Sequence, residues 1–156
     1  MPTIERAMLQ PAVTLVLWTL VMLFWLLARR LPAMRKAGVD MGELVGTKAA
    51  DADRALPAGA QWPAHNYMHL LEQPVLFYVV VIVLALLGVN DFETRLLAWG
   101  YVTFRILHSV WQATVNRVRP RFYLFAISTG ILAALAIRAA IEVFGGFTTG
   151  GFGGLF

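Results

Sequence analysis

The chain contains no cysteine. Disulfides, protein thiol nucleophiles and thiolate-bound metals are therefore excluded, and cysteine usage says nothing about the redox compartment. Charge is also scarce: Asp, Glu, Lys and Arg make up 14% of the 156 residues, against 59% hydrophobic residues. That balance excludes a disordered chain, and apolar residues gathered into long blocks do not suit an ordinary soluble domain. There are three histidines and no HExxH pair, so no metal is expected. Ser109 and Ser128 stand in no nucleophile-elbow sequence, which leaves a serine triad without support. The formal charge of +4 does not point to nucleic acid, because the basic residues flank apolar blocks as they do at a membrane surface.

What the chain has in abundance is apolar length. A helix needs ~20 residues to cross a bilayer. Four blocks qualify, over residues 11–28, 66–89, 96–115 and 122–144. The first is not read as a signal peptide, since Arg29, Arg30, Arg35 and Lys36 follow it rather than precede it. The expected fold is an all-α integral membrane bundle of four spans in a single domain, 1–144. A long loop over 29–64 is rich in Gly and Pro, and the Gly/Phe-rich tail 145–156 shows no helical period. Pro120 suits the opening of the fourth helix, and Pro74 is expected to kink the second.

Lys and Arg alternate between loops. The long loop holds six, the connection 116–121 holds Arg117, Arg119 and Arg121, and the other side has only Arg6 and Arg95. The positive-inside rule then places both basic loops in the cytoplasm and both termini outside it.

The spans carry polar residues at helical spacing. Arg105, His108, Gln112 and Asn116 are separated by steps of three and four, forming one stripe from mid-membrane to the basic surface. The start of the second span answers with His65, Asn66, His69, Glu72 and Gln73. Intramembrane charges cost at least ~2.5 kcal/mol each and commonly face a bundle interior or a wet cavity. A short connection makes these two spans antiparallel neighbours, so Glu72 and Arg105 are expected at similar depth, as a pair. Such groups serve either as interhelical hydrogen bonds alone or as the lining of a ligand site. Arg138 and Glu142, one turn apart, are expected to pair structurally.

Several of these segments resemble the MAPEG family, the membrane-associated proteins of eicosanoid and glutathione metabolism. The likeness rests on "HLLEQPVLF" at the second span and "FRILHSVWQATVNRVRPRF" from the third into the fourth, and in bacterial-type form it covers most of the chain. It implies a four-helix homotrimer binding glutathione near the cytoplasmic face, with a hydrophobic small molecule reaching the site from the lipid. By the same resemblance Arg121 is the catalytic arginine, with Arg117 and Arg119 as alternates. Asn66, His69, Glu72, Arg105, His108 and Arg117 are expected to hold the tripeptide. The family's asparagine three residues before the glutamate is His69 here, and its tyrosine after the third-helix histidine is Gln112. The implied activity is a glutathione-dependent transferase or peroxidase in a bacterial inner membrane. The alternatives are a non-catalytic subunit beside a membrane-protein partner, and a lipid- or small-molecule-binding protein.

Overall fold

The computed structural model describes residues 6–40, 42–46 and 49–149. All regular structure among them is helical: α1 (Arg6–Lys36), α2 (Ala49–Ala55), α3 (Ala58–Glu72), α4 (Pro74–Leu86), α5 (Phe92–Thr114) and α6 (Val118–Thr149). The α3 and α4 helices together form the second span. Three segments have the length and apolar composition to cross a membrane: α1, α3 with α4, and α6. With 23 residues, α5 is long enough, but it carries the polar stripe that dilutes its hydropathy.

The helices outrun their apolar blocks. The α1 helix continues through Arg29 and Arg30 to Lys36, and α2 and the start of α3 occupy much of the remainder, so the expected loop over 29–64 is largely helical. Long basic side chains past an apolar block keep their heads in water while the backbone goes on satisfying itself as helix. Likewise α6 extends to Thr149, into the segment expected to lack helical order; residues 150–156 of that tail lie outside the described residues.

Where a kink is expected, the helix is divided at Pro74. Proline offers no N–H to the carbonyl of Leu70 and its ring crowds that carbonyl. Gln73 nevertheless keeps helical dihedrals (φ −62°, ψ −38°), so one helix ends and the next begins with no loop between them. The turn into α5 is closed at both ends. Gly88 sits at φ 74°, where a side chain would be strained, and Val89 N–H donates to the Leu84 carbonyl at 3.0 Å. Asp91 then caps α5, accepting from the Thr94 N–H at 2.9 Å and from its hydroxyl. Those donations, with Arg138 nearby, hold the Asp91 carboxyl below the usual carboxylate range. The expected pair of Arg138 and Glu142 forms at 2.7 Å, and Arg138 also reaches Asp91 at 3.7 Å.

The α3–α4 span and α5 form the centre. The α1 helix packs on α3, α4 and α5, and α6 packs on α5 and α4. Met8, Leu15, Met22, Leu70, Phe77, Val81, Leu84, Tyr101 and Leu135 fill the interior, with Phe77 and Tyr101 stacked at 4.3 Å. Yet the largest fully buried side chain is an arginine, Arg105, and Asn66, His108, Ser109 and Ser128 are buried with it. Meanwhile Leu17, Phe24, Leu76, Ile137 and many other large apolar side chains are exposed on the chain. Polar groups inside and an apolar outer face suit lipid as solvent. There, interhelical hydrogen bonds and close packing, rather than expulsion of water, join the helices.

Candidate functional site

The polar residues of the two central spans separate into four connected groups. The first is a closed network. Ser109 donates to the Asn66 side-chain carbonyl, Asn66 Nδ2 donates to Gln112 Oε1 at 2.9 Å, and Trp18 Nε1 donates to Ser109 Oγ at 2.9 Å. Asn66, Ser109 and Gln112 are all buried, so this chain of bonds ties α1, α3 and α5 together where water cannot compete.

Arg105 forms the second group, and it is 0% exposed. Its Nη2 donates to the His69 carbonyl at 2.9 Å and its Nη1 approaches Gln73 Oε1 at 3.5 Å. Gln73 in turn donates through Nε2 to Thr129 of α6 at 2.9 Å. Arg105 thus lies level with residues 69–73 of the second span, but the expected partner, Glu72, is not the one it bonds. Glu72 is 68% exposed and sits 3.1 Å from His69 Nδ1 instead. Helical geometry supplies the reason. Residues 66, 69, 70, 73 and 77 share the inner face, and Glu72 is rotated about 100° from Gln73. Arg105 is seated without a carboxylate because it meets the last turn of α3, where the His69 carbonyl and the Gln73 side-chain oxygen both face it.

The third group is aromatic. The rings of His69 and His108 lie 5.2 Å apart, and Phe125 of α6 stacks on His69 at 5.3 Å. The Arg105 guanidinium carbon is 5.9 Å from the same phenylalanine ring. Arg105 Nε and His108 Nδ1 are buried without a hydrogen-bond partner among the described residues.

The fourth group is the basic corner between α5 and α6. Asn116 does not continue the α5 stripe. The helix ends at Thr114, and Asn116 turns to φ 53°, its N–H donating to the Trp111 carbonyl at 2.8 Å. Its side-chain carbonyl accepts from Arg121 Nη1 at 2.7 Å. Trp111 Nε1 donates to the Arg117 carbonyl at 3.1 Å, which fixes the corner from the other side. Pro120 falls in the first turn of α6, where its missing N–H costs nothing. Arg121 is half-buried and lies one helical turn before Phe125, the ring stacked on His69, on the same face of α6, whereas the Arg117 and Arg119 side chains are exposed.

Of the seven anticipated site residues, Arg121, His69, His108 and Arg105 converge, with Glu72 joined to them through His69. Asn66 is committed to the internal network, and Arg117 stands outside. His65 and His69 are four residues apart but turn to different partners; His65 bonds Asp53 at 2.8 Å. Among the described residues no three His, Asp or Glu side chains are grouped to share a metal. Trp18, Phe125 and Thr129 escaped the sequence reading, because a lone polar or aromatic residue on an otherwise apolar helix gives no periodic signal of its own.

A family model described as the MAPEG family matches residues 8–141. No curated protein and no solved structure matches the chain. The matched region takes in the second and third spans, nearly all of the first and fourth, and every residue of the four polar groups, in keeping with the apolar exterior: the chain is a multi-pass integral membrane protein of the MAPEG family.

Proposed function

We propose that this protein is a glutathione-dependent transferase or peroxidase for hydrophobic electrophiles, with Arg121 as the residue that activates the thiol. In this reading it works as a homotrimer, its basic end in the cytoplasm and both termini on the other side of a bacterial inner membrane. The observation that carries the proposal is the state of Arg121. Only Nη1 is engaged, by Asn116, and the remaining guanidinium N–H groups make no hydrogen bond among the described residues. Arg121 stands one helical turn from the phenylalanine stacked on His69, with those groups left to receive an anion.

Glutathione offers two carboxylates, one ammonium and a thiol, and the residues present suit that set. Arg117 and Arg119 are exposed cations for a carboxylate, the exposed Glu72 is an anion for the ammonium, and Arg121 is left for sulfur. Arg105, sealed inside, holds α3 and so sets the position of His69 rather than touching ligand. A free thiol has a pKa near ~8.5, and a neighbouring cation lowers it by roughly 1–3 units. Thiolate sulfur then attacks the electrophilic carbon, the leaving group departs with the displaced electron pair, and the thiol proton goes to solvent. With a hydroperoxide the same sulfur attacks the terminal oxygen, the O–O bond breaks, the alkoxide leaves and takes a proton as the alcohol, and a second glutathione thiol converts the resulting sulfenic acid to the disulfide with release of water. Phe122 and Tyr123 are exposed beside Arg121 on α6, giving a substrate dissolved in lipid an apolar approach. Glu72 supports the trimer: its carboxylate lies on an outer face with exposed Leu71, Val75 and Leu76, an arrangement costly against lipid and relieved by a second copy.

A non-catalytic subunit is the second reading, favoured by the Trp18–Ser109–Asn66–Gln112 network, whose bonds close within the chain. Conjugation of glutathione to a chromogenic electrophile by the purified protein separates the two. Arg121→Ala is expected to lose roughly 10²-fold in kcat/KM at neutral pH, and the exposed Glu43→Gln to lose none. Undiminished activity in Arg121→Ala removes the mechanism, and an inactive wild type with no affinity for glutathione favours the subunit.

A further inference from the structure

We infer that Asn116 is a positioning residue for Arg121: it holds the guanidinium in the orientation that presents its free N–H groups to the anion. The inference rests on the proposed role of Arg121 and adds a residue to it. Two features coincide at one side chain. The Asn116 backbone is left-handed at φ 53°, which ends α5 and starts the reversal into α6. Its side-chain carbonyl accepts from Arg121 Nη1 at 2.7 Å, five residues on, across that reversal. Either task alone has a simpler solution. Glycine adopts the left-handed conformation at least as easily, and glutamine or serine would accept a hydrogen bond from a regular backbone. Asparagine is among the few residues that tolerate the backbone and also offer a short, rigid acceptor.

The surroundings give the bond its leverage. The corner is fixed independently by the Asn116 N–H to the Trp111 carbonyl and by Trp111 Nε1 to the Arg117 carbonyl at 3.1 Å. The acceptor is therefore anchored to the frame of α5, not to a loose loop. An arginine side chain has several rotatable bonds, and one charge-assisted bond to a fixed point removes much of that freedom before ligand arrives. Because Asn116 is neutral, it restrains the guanidinium without cancelling its charge, which a carboxylate at the same place would do.

The chemistry of the position supplies a clean variant. Asn116→Gly keeps the left-handed turn and deletes only the acceptor. The test is a double-mutant cycle on the full-length protein in detergent, measuring conjugation of glutathione to a chromogenic electrophile, its pH profile, and thermal unfolding. Asn116→Gly is expected to lower kcat/KM roughly 10-fold, to move the alkaline rise of the profile upward in pH, and to leave the unfolding temperature near that of the wild type. In an Arg121→Ala background the same change is expected to have no further effect, because its target is gone. Asn116→Asp keeps an acceptor but adds charge, and is expected to retain the turn while also shifting the rise upward. Wild-type kcat/KM in Asn116→Gly overturns the inference, as does a loss that multiplies with that of Arg121→Ala. Full activity in Arg121→Ala, or none in the wild type, overturns the proposed function and the inference together, and is recognised without the Asn116 variants.

Discussion

At the scale of single residues, the arrangement around Arg105 decides which polar groups are structural and which are available. Gln73 joins Arg105 to Thr129, bridging three helices from a half-buried position, while Glu72 next to it points outward. Their substitutions should therefore differ sharply. Gln73→Leu is expected to cost about 1–3 kcal/mol, since it leaves part of a buried guanidinium unsatisfied. Glu72→Gln should cost less than Gln73→Leu, since within the chain no fully buried group depends on its carboxylate. Reversible unfolding in mild detergent measures both, and the reverse ranking would restore the Glu72–Arg105 pair that the spacing alone suggests. The level of Arg105 against the second span was legible in the sequence, because a short connection makes the two spans antiparallel and brings residues near 72 beside it. The choice between adjacent Glu72 and Gln73 was not legible: charge complementarity favours the first, and only the rotation of the helix about its own axis selects the second. Asn116 shows the converse limit. Its spacing fits the stripe, but leaving the helix gave it a different task.

At the scale of helices, the ends matter more than the middles. Pro74 divides the second span one turn after the His69 carbonyl that accepts from Arg105, so the buried cation meets the carboxyl end of α3. The helix boundaries were only partly readable in advance. Hydropathy marks the part of a helix that lies in lipid, and α1 and α6 continue beyond that part as helix. At the opposite end of the bundle Asp91 both caps α5 and stands near Arg138 of α6. Its carboxyl is held below its ordinary value, so its contribution is complete above the unfolded value of ~3.9 and is lost as pH falls through the lower folded value. Asp91→Ala is expected to cost about 1 kcal/mol at neutral pH. The gap between variant and wild type should close below about pH 4, as followed by thermal unfolding across that range; a gap that widens toward acid would contradict the cap.

At the scale of the whole molecule, the inverted distribution of polarity and the matched region 8–141 assign the family and the membrane. The proposed chemistry is concentrated at one end of the bundle, where the cationic corner meets the imidazole pair and the outer carboxylate of Glu72. The four-helix architecture supplies stiffness there: Asn66, Ser109 and Gln112 lock the α3–α5 face, Arg105 locks the level below it, and Arg121 is left with donors to spare. The most direct test of the central claim is the ultraviolet absorbance of thiolate when glutathione is added to the purified protein at neutral pH. The account predicts a thiolate signal that saturates with the wild type and is absent with Arg121→Ala. A wild type that forms no thiolate, or an Arg121→Ala variant that forms as much, would contradict it.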